Sequence, residues 1–228
     1  LTVPSVKVLA YTQPTVPDKM GTVMSPEDFI SYVARVSNPD NQANTDTAPR
    51  LLAYLLKHSH ISPFEHTYVT FEITTTRDIS RQILRHKFVF QEYSGRYAEM
   101  DSEMVERECR LQDTKNRQNS LPTDRTALKN WWASAQNNVW LNARTTYEAA
   151  LIEGIAKEQA RALLPEGLTK TTIIVTGNVR SWLHYLHLRR DPSTQKEHRE
   201  VAELIWTEMK TLFPVITGVW ENLHTDGT

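Results

Sequence analysis

Residues 67–75, Thr-Tyr-Val-Thr-Phe-Glu-Ile-Thr-Thr, alternate apolar and polar side chains through a β-branched run, the pattern of a strand with one face against a core. Val69, Phe71 and Ile73 share that face and are candidate core positions. The period then changes. Residues 78–86 put Arg81, Gln82 and Arg85 at three- and four-residue spacing, the outward face of a helix. A second β-branched run, residues 169–176, leads in the same way into a turn at Gly177 and Asn178 and a further helix. The pattern predicts a mixed α and β domain.

The remaining segments fill in that outline. Residues 6–11 alternate and read as a first strand. Ser25 is placed to cap a helix with Pro26 at its first position and Glu27 and Asp28 in its first turn, carrying Phe29, Ile30, Val33 and Ala34 inward. Residues 49–58 form another helix with Leu51, Leu52, Leu55 and Leu56 as its stripe. Residues 98–121 are charged and poorly patterned, and are read as an exposed excursion. Asp124 is the expected cap of a long helix bearing Ala127, Trp131, Ala135, Val139, Ala143, Tyr147 and Leu151, a length and aromatic content suited to contact between subunits. Gly154 breaks that helix, residues 155–164 resume it, and residues 193–213 form another before Pro214. The 228 residues, 1–228, are read as one domain.

Composition removes several functions. A net charge of -1 argues against coating nucleic acid by bulk charge. Cys109 is the only cysteine, so there is no intrachain disulfide and no thiolate zinc site, and its polar surroundings mark it as chemically idle. No apolar run is long enough to span a membrane and residues 1–10 lack the pattern of a secretion signal, so a soluble cytoplasmic protein is expected. His58, His60, Glu65 and His66 lie close in sequence without metal-ligand spacing; no metal is expected, and Glu65 with His66 is read as a structural hydrogen-bonded pair.

The candidate chemistry is concentrated in residues 81–97. Arg81, Arg85, His86 and Lys87 are a basic group suited to phosphate, Ser94 and Arg96 place a hydroxyl and a forked guanidinium beside Gly95, and Gln91 and Glu92 can meet the amide edge of a base. Phosphate-loop and dinucleotide fingerprints are absent, so any nucleotide is bound in another way.

Arg85-His86-Lys87 followed by Glu92, Ser94, Arg96 and Tyr97 resembles the signature of the flavin-dependent thymidylate synthases, with Lys87 in place of the usual second Arg and one residue fewer before Ser94. Three further blocks take their places in the family's order: the loop of His60, Ser62, Pro63, Phe64, Glu65 and His66 before it; and after it the segment of Arg161, Leu164 and Pro165, then Gly177, Asn178 and Arg180, with Arg189 and Gln195 downstream. The resemblance implies an α+β fold with a central mixed or antiparallel sheet flanked by helices, and a homotetramer with active sites at subunit interfaces. It implies reductive methylation of dUMP to dTMP, with methylenetetrahydrofolate as carbon donor, FAD as hydride carrier and NADPH as reductant.

The same resemblance assigns Gln82, Arg85, Glu92, Tyr93, Ser94, Gly95, Arg96, Arg161 and Arg189 to dUMP, with Arg189 as the catalytic group on the uracil ring. It assigns Ser37, Ser62, Arg85, His86, Lys87, Glu92, Asn178, Arg180 and His184 to FAD, and His60 and Tyr97 to the vicinity of the flavin ring and folate. Neither a nucleic acid nor a membrane is an expected partner. Two other functions remain open at this point: another pyrimidine nucleotide or hydroxymethyl transfer on the same fold, and a non-catalytic nucleotide- or RNA-binding protein.

Overall fold

The structure, a computed structural model, describes residues 3–100 and 103–225. Strand β1 (Ser5–Tyr11) leads to helices α1 (Pro26–Ala34), α2 (Pro39–Gln42) and α3 (Ala48–Lys57), and a 3-10 turn (Ser62–His66) enters β2 (Tyr68–Thr76). Helix α4 (Arg77–Ile83), strand β3 (Val89–Glu92) and the hairpin β4 (Arg110–Gln112) and β5 (Ser120–Pro122) precede the long α5 (Thr126–Ile152). The chain continues through α6 (Lys157–Ala160), a 3-10 turn (Arg161–Leu163), β6 (Lys170–Asn178), α7 (Val179–Arg189), α8 (Lys196–Leu212) and α9 (Pro214–Thr225).

The main sheet has the order β1-β2-β6-β3 and every pair is antiparallel, giving the expected α+β class. Val69, Phe71 and Ile73 are fully buried, as their alternation predicts, and are joined by Ile173 and Val175 of β6. Helices α3, α7, α8 and α9 contribute to the same core, with Trp182 set edge-on to Phe71 at 4.9 Å between centroids. The opposite face of the sheet carries threonines, paired across β2 and β6 as Thr70 with Thr176 at 2.9 Å and Thr74 with Thr172 at 3.1 Å.

Several expectations are corrected. Helix α4 stops at Ile83, so Arg85, His86 and Lys87 occupy a turn and not its outer face. The apolar residues after them form β3, because Phe88 and Phe90 find partners against the core while the backbone of β3 pairs with β6. Residues 98–121 are no free excursion. The Arg107 guanidinium binds Asp78 Oδ1 at 2.6 Å, Gly167 O at 2.9 Å and Thr76 Oγ1, and this multiply held side chain pins the segment to the end of the sheet.

Asp124 does not cap α5, whose N-cap is Arg125 without a side-chain bond. Only part of the expected stripe on α5 is covered: Tyr147 and, from its aromatic flank, Trp140 are buried, whereas Trp131 is 62% and Val139 55% exposed, and the polar Gln136 is buried as well. On α1, Ser25 caps as expected, accepting from Asp28 N at 3.1 Å. Its buried face is Glu27, Ile30 and Ser31, with Phe29 and Val33 only half-buried. Glu27 accepts backbone N–H bonds from Val215 at 3.3 Å and Ile216 at 2.7 Å, capping the start of α9; burial raises its pKa against those two bonds.

Gly154 ends α5 at φ +82, as its position predicts. Gly177 serves differently. It lies inside β6, and a Cβ there would stand 2.6 Å from Phe88 Cε1, so it is required by the aromatic ring lying on the strand and not by a turn. Gly177→Ala is expected to displace Phe88 and lower stability by about 1–2 kcal/mol in a urea melt.

Candidate active site

A cavity of about 780 Å³ opens where the turn after α4 meets the N-terminal half of α7. It brings together six residues assigned to flavin by resemblance: Arg85, His86 and Lys87 from the turn, and Asn178, Arg180 and His184 from the start of α7. Asn178 Oδ1 accepts from Ser181 N at 2.8 Å and caps α7, so the positive end of the helix faces this space. Arg180 pairs with Glu65, which corrects the expected Glu65 and His66 pair: Glu65 reaches across to α7. Arg85, Lys87 and Arg180 against the single Glu65 carboxylate make the lining basic.

Three other residues assigned to flavin are not on that lining. Ser37 is exposed beyond α1, and Ser62 begins the 3-10 turn beside Ile61, which does line the cavity. Glu92 Oε1 accepts from Ser80 Oγ and Thr171 Oγ1, each at 3.1 Å, and ties β3 to α4 and β6. His60 groups with Tyr54 and His58 on the surface, and Tyr97 is 81% exposed.

A second cluster forms where the chain leaves β3. Tyr93 Oη donates to Glu99 O at 2.7 Å, and Ser94 O accepts from Tyr97 N at 3.1 Å and Ala98 N at 3.2 Å, which closes a tight turn. Gly95 is buried in it. A Cβ at Gly95 would lie 2.5 Å from Met100 Sδ, so the missing side chain makes room for Met100, while Arg161 Cδ would stand at ordinary contact distance, 3.5 Å. Arg96 Nε lies 3.5 Å from Glu158. Arg81 leaves this group for Glu166, at 3.3 Å.

Arg189 sits beside the first cavity. Its Nε donates to His86 Nε2 at 2.9 Å, which requires the His86 proton to sit on Nδ1. Burial, with Arg189, His184 and Arg85 around it, holds His86 down at about 4, so the ring is neutral at physiological pH. Tyr185 meets the same ring edge-on at 4.9 Å.

Sequence reasoning missed His198 and Arg107. His198 is fully buried, with Nδ1 at 3.1 Å from Gln82 Oε1 and Nε2 at 3.1 Å from Tyr185 Oη. Burial pushes its pKa down to about 3 and raises that of Tyr185. The signal was available in the spacing of His198 with the buried Val201, Ala202 and Ile205, but its charged neighbours Lys196, Glu197, Arg199 and Glu200 mask it. Gln82 Nε2 donates to Gln195 Oε1 at 2.8 Å, so two residues matched by resemblance do meet.

This antiparallel sheet, with a basic cavity at the strand-to-helix turns, has solved counterparts of the same fold. The UMP/dUMP methylase PolB of Streptomyces cacaoi, solved bound with 5-Br dUMP, superposes with a TM-score of 0.83 at 25% identity, covering 97% of this chain and 96% of that one. The sequence profile described as thymidylate synthase complementing protein matches residues 19–215. The flavin-dependent thymidylate synthase of Synechocystis sp. is 44% identical over 217 residues, 95% of this chain and 99% of its own. The probable flavin-dependent thymidylate synthase of Paramecium bursaria Chlorella virus 1 is 44% identical over 199 residues, 87% and 90% of the two chains. The chain belongs to the flavin-dependent thymidylate synthase family, and it is an enzyme of the methyltransferase class. Among the described residues no helix is long and apolar enough to cross a membrane.

Proposed function

We infer that this enzyme reductively methylates dUMP to dTMP, using methylenetetrahydrofolate as carbon donor, FAD as hydride carrier and NADPH as reductant. The observation that carries the reading is the Arg189–His86 contact, which joins the arginine assigned to uracil with the rim of the basic cavity. The residues present fit a flavin dinucleotide: the cavity is of ligand size, and Arg85, Lys87, Arg180 and the capped end of α7 suit a pyrophosphate. When bound there, the flavin supplies the hydride chemistry.

The protein's own groups bind and polarise. Arg161, which lies beside Gly95, acts with Arg85, Arg96 and Ser94 on the nucleotide phosphate and sugar. Arg189 is assigned to the uracil carbonyl and N3, where a guanidinium favours the ionised pyrimidine and enriches carbon 5. Neutral His86 holds Arg189 by its Nε and adds no competing charge, leaving the terminal nitrogens for the ring. Carbon 5 then needs no thiolate behind it. Cys109 lies instead in a groove against α5, with Arg110 and Leu111.

That groove, of about 880 Å³ between α5 and the β4–β5 hairpin and lined by Trp131, Trp132 and Val139, supports reading α5 as a subunit contact in a homotetramer with shared sites. The exposed His60 and Tyr97 would face folate in that assembly. The chain is taken to act as one domain.

The test is an anaerobic incubation with FAD, NADPH, methylenetetrahydrofolate and dUMP, with the nucleotide identified by mass and UMP and dCMP offered in parallel. Formation of dTMP from dUMP is expected. NADPH oxidation without dTMP would move the assignment to another pyrimidine or one-carbon product, and a protein that binds no flavin would end it.

A further inference from the structure

Among the described residues, no side chain of the long helix α5 belongs to the main core. Tyr147 and Ala150 of α5 pack instead with Met100, Ala160 and Leu164 in a small core of their own. That core lies between the two halves of the second cluster. Met100 closes the stretch that begins at Ser94, and its Sδ fills the space a side chain at Gly95 would need. Ala160 and Leu164 flank Arg161 on either side, and Arg96 reaches Glu158 of α6, the short helix that leads into Arg161. The backbone of Met100 is gripped twice by α5. Its N–H donates to Tyr147 Oη at 3.2 Å, and its carbonyl accepts from Arg144 Nη1 at 3.0 Å. Arg144 in turn lies over the Tyr147 ring, 5.3 Å from its centroid, and donates from Nε to Glu148 at 2.7 Å.

Met100 is 3% exposed, so no water replaces a partner its N–H loses, and its place follows the Tyr147 hydroxyl. Tyr147 is itself fully buried and cannot touch a ligand. Whatever it contributes to binding passes through Met100 to the turn of Ser94, Gly95 and Arg96. We propose that Tyr147 and Arg144 set the affinity for the nucleotide by fixing Met100, which registers the Ser94–Arg96 turn against Arg161. This rests on the dUMP reading above, which gives Ser94, Arg96 and Arg161 to the phosphate and sugar. Tyr147 and Arg144 are positioning residues. A phosphate is gripped well only by donors already in place, because a turn that must be ordered on binding subtracts that ordering from the affinity.

The experiment measures the dissociation constant of dUMP for the flavin-loaded protein by calorimetry, well below the melting temperature of each variant, and KM and kcat alongside. Tyr147→Phe, which keeps the ring and removes the acceptor for Met100 N–H, is expected to weaken dUMP by about 10-fold. KM should rise with it and kcat at saturating dUMP stay within about 2-fold, with bound flavin unchanged. Arg144→Met, which keeps an apolar stem over the ring and removes the donor to Met100 O, is expected to weaken dUMP likewise, and Arg144→Lys to recover most of the loss. Arg144 is partly exposed, so its variants carry the test should Tyr147→Phe not fold. A lowered melting temperature with an unchanged dissociation constant in Tyr147→Phe and Arg144→Met would make the cluster a packing core alone and overturn the inference, leaving the dUMP reading intact. A loss confined to kcat would overturn it too. A wild-type protein that binds no dUMP would overturn that reading and this inference with it.

Discussion

Arg189→Ala is expected to lower kcat for dTMP formation by about 10²–10³, the loss found when a group that stabilises developing charge is removed. Flavin content should be retained, because Arg85, Lys87, Asn178 and Arg180 line the cavity independently of Arg189. Arg189→Lys should rescue little. An ammonium can reach His86 Nε2 but cannot present two parallel N–H groups to the pyrimidine. The substitution also has a readout that requires no turnover. Arg189 is the second largest cause, after burial, of the low His86 pKa, so Arg189→Ala should move the His86 titration upward when followed by NMR. Full activity in the alanine variant would remove Arg189 from the mechanism, and an unmoved His86 would contradict the contact.

Acid is expected to destabilise the fold well before the carboxylates titrate. His198 is held at about 3 by burial, with the Arg189 charge adding to it, against about 6.5 in an unfolded chain. The unfolded state therefore takes up this proton first. Stability is complete above pH 6.5 and falls as pH drops toward 3, by about 1.4 kcal/mol per pH unit, or about 2 kcal/mol at pH 5. His86, held at about 4, adds in the same direction. Urea melts at pH 7.5 and pH 5.0 measure the difference, and His198→Asn should flatten it. A wild-type midpoint that does not move between the two pH values would show that His198 is not kept neutral by the fold.

The clusters differ in how far the sequence announced them. Alternation over residues 67–75 led directly to a fully buried Val69, Phe71 and Ile73, since a period of two allows only one face per residue set. Ser25 and Gly154 were legible for the same kind of reason: a cap and a left-handed residue are decided by bonds within a few residues. That the six basic and polar residues share one cavity was legible only by resemblance, because nothing local ties residues 85–87 to residues 178–184.

The periodicity of residues 78–86 misled where a longer-range force prevailed. It carried the helix through His86, but the pairing of β3 with β6 and the packing of the half-buried Phe88 and Phe90 against the core ended it at Ile83. Glu92, read from the sequence as a ligand group, also has one carboxylate oxygen bonded to Ser80 and Thr171, a tie that the sequence did not show. Arg107 looked like part of an exposed charged stretch, and it anchors that stretch to α4 and α8. By itself, then, the sequence determined the strand and helix periods, the local caps and, through its motifs, the family. Tertiary structure alone decided that Gly177 makes room for Phe88, that Arg189 meets His86 across 103 residues, and that His198 meets Gln82 across 116. The physical reason is range: propensities and caps act within a turn or two, whereas the direction of a buried hydrogen bond depends on every partner that folding brings beside it.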